Sequence, residues 1–372
     1  PPMIREILRL GLYQIFYLDK VPDSAACNTA VDLAKKYSHP GTVKFVNAVL
    51  RTAVREPERA KFPEGKGHAT EGLALASQHP QWLVKRWVKA FGFEETQSLC
   101  DFNNGQALLS VRANTLRADR DTLLAALKEA GTEAEPSKWT PEGVIITAHG
   151  SLDRLQPLQD GLCQVQDESS MLVAHVVDPQ PGEFVIDCCS APGGKTTHLA
   201  ALMQDKGRIL AGDIYEHKID RIQENADRLG ISIIETQLLD AREVGELYAG
   251  QADRVLVDAP CSGLGVLRRK PDARWNKTPE QLAELPPLQL EILSSAARAV
   301  KPGGVLVYST CTILREENQA VVEAFLAAQP DFFLEKTGHF LPGKPREDAM
   351  VQLLPQRDGT DGFFIARLRR KE

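Results

Sequence analysis

From about residue 160 onward, short apolar runs alternate with amphipathic stretches, and few folds accept that order. The runs at 184–187 (FVID), 208–213 (RILAGD), 233–238, 254–258 (RVLVD), 304–309 (GVLVYS) and 362–368 (GFFIARL) have the length of strands. Stretches with helical spacing separate most of them, at 195–203, 216–229, 281–300 and 316–328. Strands joined by helical crossovers lie parallel, so the pattern predicts an α/β, Rossmann-like domain with a doubly wound sheet. Ligands of such sheets gather at the carboxyl ends of the strands, and chemistry is expected in the loops that follow them.

Upstream, the pattern differs. Ile4, Ile7, Leu8, Leu12, Ile15 and Phe16 recur at helical spacing, Pro22 breaks the run, and Asp23 and Ser24 offer caps for a second helix. A third helix is predicted from Val43, Val46, Val49, Leu50 and Ala53. Residues 55–72 are rich in Pro, Gly and charge, as linkers are. Between 73 and 150 helical and strand patterns mix: QWLVKRWVKAF and DTLLAALKEAG as helices, ALLSVRANT and GVIIT as strands. The expected division is an all-α domain over 1–60, a linker over 61–72, a small α+β subdomain over 73–150 and the α/β domain over 151–372. With no initiator Met and a start just before a helix, the first domain is expected to be incomplete.

Composition excludes several classes. No apolar run approaches the roughly 20 residues of a membrane span. The seven cysteines are odd in number and form no C-x-x-C pair, which argues against a disulfide framework and a structural zinc site and for a reducing cytoplasm. No metal is expected. The net charge of −6 does not advertise a nucleic-acid partner, but a local basic face decides that question.

The first strand of the α/β domain runs into "DCCSAPGGKTTHL" (187–199), whose Gly194-Lys195-Thr196 looks like the end of a phosphate-binding loop. Counting back, Cys189 stands where that loop needs its first Gly, and Pro192 removes a backbone N–H from a loop whose use is to present them. A P-loop-like NTPase therefore recedes to an alternative. Gly193 and Gly194 still permit a ligand to approach the backbone. Asp213, ending the next strand, suits the ribose hydroxyls of a nucleoside, and Asp240, ending the one after, suits an adenine amino group. S-adenosylmethionine and NAD are the candidates, and the missing G-x-G-x-x-G favours the former.

Cys261 in "DAPCSG" and Cys311 in "YSTCT" each lie in a polar loop just past a strand, on the cofactor side of the sheet. A free cysteine alone is usually core; two at one sheet edge point to chemistry. Cys188 and Cys189 are left to packing and loop shape. A methyl acceptor that needs a thiol is a pyrimidine at carbon 5. A thiolate adding at carbon 6 makes carbon 5 nucleophilic, and a carboxyl group at ring N3 assists. Asp258 stands three residues before Cys261. Beyond Cys261, Arg268, Arg269, Lys270 and Arg274 are candidate phosphate contacts, and Trp275 a stacking platform.

Together, Asp258-Ala259-Pro260-Cys261, Thr310-Cys311 and Pro192-Gly193-Gly194-Lys195-Thr196 resemble the motifs of the RNA 5-methylcytosine methyltransferase family. "QDESS" (166–170), "GVLRRKPDARW" (265–275) and "DGFFIARL" (361–368) are similar to further family signatures, so the likeness covers about 160–372. "LRLGLYQIFYLDKVPDSAACNTAVDLAKKY" with "KFVNAVLR" resembles a NusB-like RNA-binding domain, which implies the branch of the family that acts on 16S ribosomal RNA of the small subunit. The resemblance implies Cys311 as the attacking thiol, Cys261 as the one that helps release product, Asp258 on the cytosine edge and Lys195 near the catalytic centre. Cys189, Ser190, Ala191, Pro192, Gly193, Gly194, Lys195, Asp213, Asp240 and Asp258 would line the S-adenosylmethionine site. Thr312, where the family commonly has Ser, and the unusual "DCC" before the glycine loop are departures. The third reading is a non-catalytic RNA-binding assembly factor; intact Cys311, Cys261 and Asp258 argue against it. A monomer is expected.

Overall fold

The computed structural model describes residues 1–59, 68–148, 150–152, 155–343 and 346–372. The chain forms two compact units, Pro1–Gln78 and His79–Glu372.

The first unit is helical. Helices Pro2–Tyr17, Asp23–Tyr37 and Pro40–Arg55 bury Ile4, Ile7, Cys27, Ala30, Ala34, Val46 and Leu50 against one another. A Cβ on Gly11 would come within 2.9 Å of Leu50, so glycine lets two helices approach closely. Residues 61–67 of the expected linker lie outside the described residues. Its last residues differ from expectation: Ala69–Ala76 is a helix that buries Gly72 and Ala74. Small residues pack there despite the polar run before them.

The second unit holds two sheets. In the smaller, β1 (Leu109–Ala113), β2 (Glu133–Pro136), β3 (Gly143–Ala148) and β4 (Cys163–Val165) are antiparallel in the order β2-β3-β1-β4. Helices Gln81–Phe91, Phe93–Asn104 and Arg120–Glu129 belong to the same region. Buried Val111, Leu123, Leu127, Val144 and Ile146 form its core.

The larger sheet contains β5 (Phe184–Asp187), β6 (Arg208–Asp213), β7 (Ile234–Leu238), β8 (Ala252–Asp258), β9 (Val300–Thr310), β10 (Phe332–Leu334), β11 (Val351–Leu353) and β12 (Phe363–Arg370). Its order is β10-β12-β9-β8-β5-β6-β7, with β11 also paired to β12. Strands β5 to β9 are mutually parallel, as the alternation predicts. The strand β12 runs antiparallel to β9, so the sheet is mixed. Val255 and Val257 pack into one buried layer and Leu256 into the other, which explains why β8 reads as an unbroken apolar run. The chain turns outward on both sides of β5, and that reversal opens a crevice at the carboxyl edge. In register, Asp258 lies beside Ser309, so β8 and β9 end level and their loops emerge together.

Candidate active site

The loop after β5 is held by its own backbone. Ser190 Oγ donates to the Asp187 carbonyl at 2.7 Å, Gly193 N to the Ser190 carbonyl at 2.7 Å, and Ser190 N to the Gly212 carbonyl at 2.9 Å. Gly193 has φ +97°, and a Cβ there would lie 3.3 Å from the Ile222 backbone, so only glycine fits. With these amides turned inward and Pro192 lacking one, the loop offers no triphosphate cradle. Thr196 Oγ1 donates to Asp187 Oδ2 at 2.8 Å. Burial, opposed by that bond, pushes the Asp187 carboxyl up to about 7.

Beside this loop lies a cavity of about 520 Å³. Cys189, Ala191, Asp213, Asp240, Asp258 and Pro260 contribute to its wall, with Ile214, Tyr215, Leu288 and Ile292 supplying apolar surface. Asp213 accepts from Tyr215 N at 3.1 Å and faces Lys218 Nζ at 3.4 Å. Asp240 is gripped by Arg242 at 3.0 and 2.6 Å, and those hydrogen bonds hold it below the usual carboxylate range. Size, apolar walls and two strand-end carboxylates fit a nucleoside. The cavity wall is narrower than the expected lining: Cys189 and Ala191 belong to it, and Ser190, Pro192, Gly193, Gly194 and Lys195 do not. The tight turn spends Ser190 and the glycines on loop shape, and Lys195 reaches Asp258 at the end of β8, the neighbour of β5 in the sheet.

That reach defines the second half of the edge. Lys195 Nζ meets Asp258 Oδ2 at 2.7 Å, and Ser309 Oγ donates to Asp258 Oδ1 at 2.8 Å. Burial opposes the ammonium, but the pairing with Asp258 outweighs it and raises Lys195 above its ordinary value. Cys261 Sγ and Cys311 Sγ stand 3.3 Å apart. Their hydrogen bond holds Cys311 below the ordinary thiol range against burial, with Lys195 and Lys270 assisting. The same bond, with burial, pushes Cys261 well above that range. The two directions favour the thiol form at Cys261 and the thiolate form at Cys311. Cys188 is buried, and burial pushes it and Cys189 upward, which leaves neither thiol activated.

What holds the sulfurs together is a residue that sequence reasoning missed. Glu317 is 1% exposed. Its Oε2 accepts from Ser262 N at 2.8 Å and from Gln289 Nε2 at 3.0 Å, while Gln289 also donates to the Pro260 carbonyl at 2.9 Å. Ser262 Oγ and Thr312 Oγ1 are 2.8 Å apart, and Thr312 Oγ1 lies 3.4 Å from Glu317 Oε1. One carboxylate thus ties the loop of Cys261 to that of Cys311. Thr312 retains the hydroxyl this contact needs. A second missed group is Arg112 on β1, fully buried, which donates to the Gly194 carbonyl at 2.7 Å and Thr197 Oγ1 at 3.1 Å. It fastens the small sheet to the helix that carries Lys195.

The arginines after Cys261 lie differently from expectation. Arg274 is 3% exposed and donates to Asn104 Oδ1 at 2.8 Å. Arg269 bridges Asp361 at 2.6 Å and Asp167 at 2.5 Å, and Arg268 stacks on Phe102 and faces Asp361 at 3.6 Å. These three side chains fasten the loop rather than face solvent. Lys270 and Trp275 are exposed.

Comparison with known proteins agrees with this architecture. Residues 174–369 match the family described as 16S rRNA methyltransferase RsmB/F, residues 79–153 its ferredoxin-like domain, and residues 1–55 the NusB family. The chain is 44% identical to a probable ribosomal RNA small subunit methyltransferase B of Bacillus subtilis, covering 100% of this chain and 83% of the relative. A methyltransferase homologue from Pyrococcus horikoshii superposes with a TM-score of 0.71 at 29% identity, over 82% of this chain and 100% of that one. NSun6 from the same organism, solved with SFG, gives 0.71 at 25% identity over 79% and 98%.

Proposed function

The chain belongs to the 16S rRNA methyltransferase RsmB/F family, and on that premise we propose that it methylates carbon 5 of a cytosine in 16S ribosomal RNA through a transient bond from Cys311 to ring carbon 6. Its cofactor, S-adenosylmethionine, supplies an electrophilic methyl group; Asp213, Asp240 and the apolar wall between them would hold its nucleoside.

The observation that carries this reading is the polarised thiol pair, 3.3 Å apart, beside the Lys195–Asp258 ion pair. Cys311 as thiolate adds to carbon 6, and the ring electrons move to carbon 5. The ammonium of Lys195 and the carboxylate of Asp258 present a donor and an acceptor suited to N3 and the 4-amino group of cytosine. Carbon 5 takes the methyl group and then gives up its proton to solvent, and the sulfur–carbon 6 bond breaks. Cys261, carrying the proton beside the departing sulfur, eases that release. A base paired inside a helix cannot reach these half-buried sulfurs, so the target must be unpaired or flipped. The free thiols suit a reducing cytoplasm.

The test is transfer of labelled methyl to unmodified small-subunit RNA, with bisulfite sequencing of the product. Absence of any 5-methylcytosine while S-adenosylmethionine binds would overturn the reading.

A further inference from the structure

The helix Gln81–Phe91 has two unlike faces. Leu83, Val84 and Trp87 are fully buried on one. Trp82, Lys85, Arg86 and Lys89 recur at i, i+3, i+4 and i+7 along the other. That second stripe forms one wall of a groove of about 990 Å³, whose opposite wall includes Ile313, Leu314 and Arg315. Ile313 and Leu314 are the second and third residues after Cys311. The thiol pair is therefore flanked along the chain by two hollows. Asp258 and Pro260, just before Cys261, line the cofactor cavity, and the residues just after Cys311 line this groove.

We propose that the groove binds a single-stranded stretch of the substrate RNA adjoining the target cytosine, an inference that rests on the function proposed above. Charge supports that occupant. Of the four cations lining the groove, Arg86 pairs with Glu316 at 2.7 Å and Arg315 with Glu323 at 2.8 Å. Lys85 and Lys89 are exposed and have no carboxylate partner among the described residues. Like charges four residues apart on a helix repel, so the pair is not there for the helix. Two unneutralised ammonium groups attract phosphates, and the half-buried Trp82 indole offers a face on which a base of any kind can stack. A duplex would not admit bases to an indole, which selects unpaired RNA.

The experiment is fluorescence anisotropy of a labelled single-stranded oligoribonucleotide containing cytosine, with its duplex as control, on the full chain and on Lys85→Ala/Lys89→Ala. Both side chains are exposed, so the fold should persist, and S-adenosylmethionine affinity by calorimetry should be unchanged. Affinity for the single strand should fall roughly tenfold, and the slope of log affinity against log salt should flatten by about 1.4, near 0.7 per lost cation. Unchanged affinity and slope would overturn the groove as the RNA site and leave it to a protein segment. Lysine-dependent RNA binding by a wild-type chain that transfers no methyl group would instead uphold the groove and sink the catalytic reading.

Discussion

The two halves of the sheet's carboxyl edge are built on different principles. Around β6 and β7, Asp213 and Asp240 are held by partners two to five residues away in sequence. Around β8 and β9, Asp258 is held by residues 63 and 51 positions away, and Glu317 by residues 55 and 28 positions away. A pocket that only has to complement a ligand can be assembled from local turns. Sulfurs that must share a proton need their loops fixed in common, and that demands buried, non-local bonds.

The largest expected effect separates the halves by role. Cys311→Ala should reduce methyl transfer by about a thousandfold or more with S-adenosylmethionine affinity intact. Cys261→Ala should instead accumulate a protein–RNA adduct, seen as a slow band on a denaturing gel; the reverse pattern would exchange the two roles. Next comes the non-local half itself. Glu317→Ala strands the Ser262 amide and leaves Gln289 only its bond to the Pro260 carbonyl, and should lower stability by about 3 kcal/mol in urea titrations and slow alkylation of Cys311, with Glu317→Gln recovering part. Normal stability in Glu317→Ala would erase the contrast. In the local half, Asp213→Ala should weaken S-adenosylmethionine binding by about 2 kcal/mol, roughly thirtyfold by calorimetry, without altering thiol reactivity. The smallest effect is in pH. Because the Cys261 bond lowers Cys311, iodoacetamide should react with it at pH values where ordinary thiols are protonated, and the rate should fall as pH drops through its depressed pKa. Cys261→Ala removes that bond and should move the midpoint upward.

The same contrast explains what the sequence reveals. Alternating runs suffice for β5 to β9, since a buried parallel strand is apolar throughout. Short β10 and β11 carry too few residues for any period to register. Asp213, which ends its strand, and Asp240, Cys261 and Cys311, which lie within three residues of the ends of theirs, are legible from that placement. Glu317, in "REEN", looks like a solvated helix start, and only the folded chain brings Gln289 and Ser262 to it. The arginines err in the opposite sense. A charged loop reads as surface, yet Arg269 and Arg274 find partners 92 and 170 residues distant.

The antiparallel pairing of β12 with β9 has a bearing on synthesis. A ribosome delivers Cys311 and its strand before it delivers residues 363–370, and until those arrive the outer rim of β9 has nothing to bond. A nascent polypeptide stalled in that interval would carry a reactive sulfur on a sticky, unfinished border. Prematurely terminated products should accordingly precipitate or be degraded, not persist as weak enzymes.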